Sequence, residues 1–173
     1  MYFKLIGSVL VICSTAAIGF YFSSMIQGRI RDLIELKKTI YIMRGDIQYG
    51  NTPLPEAISS IGRRSRNHFK QFFLGVSEGL MKQEGETFFT IWSQGVEELL
   101  VETYLTKKDK ESLSRLGEHL GYLDKQMQLK TIDLYVEQLE MELKETTDTM
   151  KDKMRLYNTL GVLSGIFITI ILL

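Results

Sequence analysis

The sequence predicts an all-α membrane protein, with N- and C-terminal transmembrane helices flanking a six-helix antiparallel bundle. Three observations lead there. Two runs without a charged side chain, 5–26 and 156–173, occupy the ends of the chain. Between them apolar residues recur at three- and four-residue steps, and no useful stretch alternates with the strand period of two. The only prolines, Pro53 and Pro55, fall in one short stretch and leave the rest free to be helical. The expected division is a first span over 1–26, a cytosolic bundle over 27–155 and a second span over 156–173.

The first run is about 33 Å long as a helix, enough to cross a hydrocarbon core of about 30 Å. A cleaved signal peptide ending near Ser14-Thr15-Ala16 is the rival reading. It is disfavoured because the apolar run continues ten residues beyond Ala16. A lipoprotein reading of Cys13 fails on the bulk of the preceding Ile12. The second run reaches about 27 Å and just crosses if the terminal carboxylate sits among the headgroups. Ile166 and the residues after it are apolar on every side, whereas a soluble helix shows a polar face. Arg29, Arg31, Lys37 and Lys38 follow the first run, and Lys144, Lys151, Lys153 and Arg155 precede the second. Basic flanks stay inside, so the expected topology puts the middle in the cytosol and both termini outside.

Leu33, Leu36, Ile40, Met43 and Ile47 form one stripe of a helix running straight out of the first span. Gly50-Asn51 stops it with residues that tolerate positive φ. Thr52 reads as the N-cap of the next helix, with Pro53 first inside it and Pro55 still in the first turn, where no intrahelical N–H is needed. Glu56 adds negative charge near that helix start. Arg63, Arg64, Ser65, Arg66 and Asn67 read as the following loop. A third helix carries Phe69, Phe72, Phe73, Val76 and Leu80, and Gly85-Glu86-Thr87 ends it. A fourth presents Phe88, Ile91, Trp92, Val96, Leu99 and Leu100. Thr106 and Asp109 resemble a capping pair opening a fifth helix through Leu113, Leu116 and Leu120. Gly121 closes it and Asp124 caps the sixth. There Leu129, Ile132, Val136, Leu139, Leu143, Thr146, Met150, Lys153 and Tyr157 trace a coiled-coil-like seam that fades at Thr146 and Lys153. Six helices with short connections give the bundle.

Composition limits function. The 173 residues hold 21 basic and 21 acidic side chains, and zero net charge argues against a nucleic-acid partner. Roughly 130 residues between the spans suffice for one domain. The single Cys13 excludes an internal disulfide. No phosphate loop, HExxH or glycine-rich strand–helix turn occurs, and His68 and His119 stand apart. Glu137, Glu140, Glu142 and Glu145 interleave with the seam as a solvated face. No active site, metal site or cofactor is expected.

Three features are candidates for contact. Arg63, Arg64, Arg66 and Lys70 form a basic patch that reads either as a solvated loop or as a docking site for anionic lipid or an acidic partner, and the sequence leaves both open. Gly161 and Gly165, with the stripe Thr15, Gly19 and Ser23, have the small-residue spacing of packed membrane helices. The stretches 49–57 and 116–128 are accounted for by capping, yet they also carry a resemblance.

Tyr49-Gly50-Asn51-Thr52-Pro53-Leu54-Pro55-Glu56-Ala57, then Leu116-Gly117-Glu118-His119-Leu120-Gly121 with Asp124 and Gln128, then Tyr157-Asn158-Thr159-Leu160-Gly161-Val162-Leu163, occur in that order between two terminal spans. With Trp92, they make the chain resemble the stage III sporulation protein AB family of endospore-forming bacteria over essentially its whole length. Pro55 departs from the polar residue expected there. The resemblance implies a cytosolic domain similar to the inner-membrane platform of type II secretion and type IV pilus machines. It implies a non-enzymatic part of the channel complex joining mother cell to forespore, in the outer forespore membrane. Implied partners are the complex's hexameric ATPase and other channel membrane proteins, with Gly117, Gly121, Asp124 and Gln128 joining the basic patch as candidate contact residues. A homo-oligomer is also open. A two-span signalling or scaffold protein outside sporulation is the alternative. It fits less well, because such proteins usually place a sensor outside and an output domain after the second span.

Overall fold

The computed structural model describes residues 2–82, 85–121 and 124–172. Six helices follow in order: α1 Tyr2–Tyr49, α2 Leu54–Arg64, α3 Asn67–Lys82, α4 Phe88–Glu102, α5 Lys107–Leu120 and α6 Lys125–Leu172. No strand occurs among the described residues. The chain divides into two compact units. One is Arg31–Leu143, and the other joins Met1–Ile30 to Lys144–Leu173.

Within Arg31–Leu143, the expected stripes are the core. Leu33, Leu36, Ile40, Met43 and Ile47 of α1 are buried, with Phe69, Phe72, Phe73 and Val76 of α3, Trp92, Val96 and Leu99 of α4, Leu113, Leu116 and Leu120 of α5, and Ile132, Val136 and Leu139 of α6. Leu80, Phe88, Ile91, Leu129 and Leu143 pack partly buried against them. The Leu100 side chain lies outside the described residues. Sequential helices α2 to α5 pack pairwise. Lys37 meets Glu140 and Arg44 meets Asp133, so within this unit α1 and α6 run antiparallel. Such exposed pairs fix register more than they stabilise.

Two boundaries differ from the sequence reading. Pro53, not Thr52, occupies the N-cap of α2, and no side chain caps that end. Thr52 still belongs to the close of α1: its N–H donates to the Asp46 carbonyl (3.3 Å), after Asn51 has turned through φ +49°. Pro53 and Pro55 remove two amide donors from the helix start, so little is left to cap. The basic segment is likewise not a loop. Arg63 and Arg64 are the last turn of α2, and only Ser65 and Arg66 separate it from α3. The Ser65 hydroxyl and N–H both donate to the Ile61 carbonyl (2.7 and 2.8 Å), and Asn67 reverses the chain at φ +48°.

The caps expected at α5 and α6 are present. Thr106 and Asp109 form a complete capping box at α5. Asp124 Oδ1 accepts the Met127 N–H at 3.0 Å, capping α6. Gly85 takes φ +81° in the break before α4, a conformation that suits a residue without Cβ. Thr87 then caps α4 by accepting the Thr90 N–H.

The unit formed by Met1–Ile30 and Lys144–Leu173 pairs the ends of α1 and α6 along small and polar residues. α1 and α6 each contain a stretch long and apolar enough to cross a membrane. Here the α6 seam departs from the sequence reading. Thr146, where the seam was expected to fade, is buried and accepts from Arg29, while Lys153 is exposed as that fade allows. Tyr157 is exposed, and Met154, Asn158, Gly161 and Gly165 turn toward the partner helix instead. A straight helix drifts relative to a strict seven-residue repeat, so extending the repeat past Thr146 selected the wrong face.

Candidate interaction surfaces

Glycine seats explain most of the second motif. Trp92 is fully buried, and its Nε1–H donates to the Leu113 carbonyl at 2.8 Å. Its indole lies flat against Gly117, where an added Cβ would fall 2.6 Å from Nε1 and closer still to Cγ and Cδ1. One turn on, Gly121 faces Phe88 Cβ at 3.0 Å from such a Cβ. Phe88 stacks on Trp92, and Phe72 and Phe73 meet the same indole edge-on. Each such ring pair adds about 0.5–1.5 kcal/mol beyond burial. Gly117 is therefore interior. Asp124 is exposed while capping α6, and Gln128 is half-buried with its amide donating to the Leu120 carbonyl at 3.0 Å.

The structure also joins the two connecting stretches. Lys125 Nζ donates to Asn51 Oδ1 (2.7 Å) and to the Gln48 carbonyl (3.2 Å), fastening the start of α6 to the end of α1. Sequence reasoning missed Lys125, because nothing local distinguishes a lysine holding distant carbonyls from a solvated one.

Of the basic patch, two members are engaged. Arg63 donates to Ser59 Oγ (3.0 Å), and Arg64 pairs with Asp46 and donates to Ser60 Oγ (2.9 Å). Arg66 and Lys70 are exposed. His68 Nδ1 meets Glu102 at 2.7 Å, and His119 is exposed in the last turn of α5. Among the described residues no three His, Cys, Asp or Glu side chains gather as a metal site would require.

The small residues of the spans come together. An added Cβ at Gly161 would lie 2.8 Å from the Thr15 carbonyl oxygen, at Gly19 2.6 Å from that of Tyr157, and at Gly165 2.8 Å from Ile12 Cα. Ser23, the third member of the stripe, is buried and donates to Asn158 Oδ1 at 2.7 Å. Arg29 donates to Thr146 Oγ1 at 3.1 Å. Close backbone approach plus interhelical hydrogen bonds is how helices associate in lipid, each bond adding about 0.6 kcal/mol. Asn158 was legible in principle: it is a polar side chain inside the second apolar run, three residues before Gly161.

Buried polarity elsewhere is structural. Asp109 is buried in its capping box. The Tyr135 hydroxyl has no hydrogen-bond partner among the described residues, and burial, with Asp109 nearby, pushes its phenol well above the usual range. Asp32 accepts the Tyr104 N–H at 2.7 Å. Burial raises its carboxyl above 3.8, opposed by that bond and by His68 and Arg31.

Comparison with known proteins agrees with this geometry. Residues 4–173 match the family described as stage III sporulation protein AB. A curated relative, Stage III sporulation protein AB of Bacillus subtilis (strain 168), is 26% identical over 170 residues, covering 98% of this chain and 99% of the relative. A solved structure of Stage III sporulation protein AB is 27% identical with a TM-score of 0.64, covering 72% of this chain and 97% of that one. The match runs through both apolar ends and the bundle between them, and the chain belongs to the stage III sporulation protein AB family.

Proposed function

We propose that this protein is a non-enzymatic platform of the membrane complex connecting mother cell and forespore, and that it engages a partner ATPase. In this reading α1 and α6 cross the mother-cell-derived outer forespore membrane, and Arg31–Leu143 faces the mother-cell cytoplasm. ATP hydrolysis occurs in the partner, and the bundle anchors or transmits its mechanical consequences. No cofactor is invoked.

The single observation that carries the reading is family membership across both apolar helices and the bundle between them. The side chains add support. The core is held by rings and capped helix ends, which suits a rigid mechanical element, and the imidazole of His68 is spent on Glu102. Basic residues flank both spans on the bundle side, in keeping with a cytosolic bundle. The likeness to secretion platforms enters as a fold-level analogy and supports mechanism less than the family does.

The test is binding between the full-length protein in membranes and the cognate ATPase. The reading expects retention of the ATPase on these membranes, and arrest of spore development when the bundle is disrupted. Absence of binding under native conditions, with sporulation unaffected, overturns it in favour of a signalling or scaffold role elsewhere.

A further inference from the structure

Charge in this neutral chain is not evenly spread. Between Asn67 and Glu102, the hairpin of α3 and α4, six acidic residues face two basic ones, a net charge of −4 with His68 neutral. Along the same hairpin runs a groove made of two adjoining depressions of about 340 and 370 Å³. They share Gln71, Phe72, Gly95 and Glu98, so they form one trough. The trough exists because glycines replace side chains along it. At Gly75 an added Cβ would meet nothing within 4 Å, while Gly95 lets Phe72 lie close. Acidic groups punctuate its length against one lysine, Lys82: Glu86 at one end, Glu98 in the middle and Glu102, which meets His68, at the other. Apolar Val101 is 88% exposed at the Glu102 end, and Met81 is 64% exposed on α3 beside lining residue Lys82.

The α3 positions that line the trough run from His68 to Lys82, about 20 Å of helix, the length of roughly four turns of a partner. A glycine-floored trough with acidic ends, beside which apolar Val101 and Met81 are exposed, suits a helix laid along it. Carboxylates along the trough select that helix by charge and reject anionic surfaces, lipid headgroups included. We propose that the α3–α4 groove docks a basic amphipathic helix of a partner protein. This assignment concerns the surface and the chemistry of its occupant, and it does not require that partner to be the ATPase.

The experiment uses the full chain in nanodiscs of zwitterionic phosphatidylcholine. It is titrated with a tryptophan-free Leu/Lys amphipathic peptide of about 18 residues, long enough for helix formation, or with its Leu/Glu counterpart. Trp92 is the chain's one tryptophan, and its ring centroid lies 5.0 Å from that of groove residue Phe72, so its emission reports occupancy. Empty nanodiscs correct for lipid partition. The Lys peptide is expected to change Trp92 emission saturably and less at high salt, and the Glu peptide to do nothing. Glu98→Lys is expected to weaken binding at least tenfold, and Gly75→Gln to do the same by filling the trough. Gly75 faces open space, so Gly75→Gln keeps the fold and decides the matter even if Glu98→Lys unfolds the bundle. Equal response to both peptides, no response, or binding unchanged in Gly75→Gln overturns the proposal. Self-association of the chain that Glu98→Lys dissolves also overturns it, by giving the groove to a second copy.

Discussion

Replacing Gly117 by alanine isolates the packing on which the bundle turns. The new methyl would sit 2.6 Å from Trp92 Nε1 and closer to two ring carbons, against an ordinary contact of about 3.5–4 Å. The indole must therefore retreat by about 1.5 Å into a fully buried site already filled by Phe72, Phe73 and Phe88. Overpacking of this kind costs about 1–3 kcal/mol. Retreat also breaks the Nε1–H bond to Leu113, leaving a buried donor and acceptor at about 1–3 kcal/mol. Alanine's better helix propensity returns about 1 kcal/mol. The net expectation is a loss of roughly 3 kcal/mol. Gly75→Ala is the internal control: its Cβ meets nothing, so only the propensity gain remains and the sign reverses. The assay is urea unfolding of the detergent-solubilised chain followed by Trp92 emission, which reports only the Arg31–Leu143 unit. At a slope of about 1–2 kcal/mol per molar, the Gly117→Ala midpoint falls by about 1.5–3 M. A Gly117→Ala midpoint at or above the wild-type value, with unchanged emission, would mean that the indole does not need the glycine beneath it.

Three further expectations follow from single groups. Tyr135→Phe removes a buried hydroxyl with no partner among the described residues and should raise stability by about 1 kcal/mol; a loss on the same urea assay means the hydroxyl is bonded after all. Asp32 carries a carboxyl raised above 3.8 by burial, so the folded state holds that proton more tightly and stability falls as pH rises through the window just above 3.8. Asp32→Asn keeps an acceptor for the Tyr104 N–H and removes the titration, so its advantage over wild type should grow with pH across that window and then level. An advantage that shrinks with rising pH contradicts the assignment. Gly165→Leu drives a side chain into Ile12 and Thr15; spin labels at exposed Ile18 and Leu163 should report a longer, broader separation than in the parent chain, and an unchanged distribution argues that the two segments do not depend on that contact.

Much of this architecture could be read from residue order because the physics was local. Apolar stripes from Leu33 to Ile47 and from Leu113 to Leu120 obey helical spacing, and the Thr106–Asp109 box needs only residues three apart. What resisted was non-local. The role of Gly117 depends on Trp92, 25 positions away, and Lys125 depends on the carbonyls of another helix. Thr52 looked like a cap because its type and the prolines suit one, but Pro55, three residues on, has no N–H for its hydroxyl to accept. The arginines after Ile61 looked like loop because they are charged, whereas a two-residue turn at Ser65 and Arg66 was enough. The α3–α4 groove is a property of missing side chains at Gly75 and Gly95, visible only once two helices are laid side by side.

The proposed function requires two membrane crossings that hold the charged bundle on the cytosolic side. Its most direct measurement places one cysteine at exposed Val101 in a Cys13→Ala background and treats intact cells with a membrane-impermeant maleimide. Labelling is expected only after the membrane is permeabilised. Labelling of Val101→Cys in intact cells would put the bundle across the bilayer and contradict the proposed function.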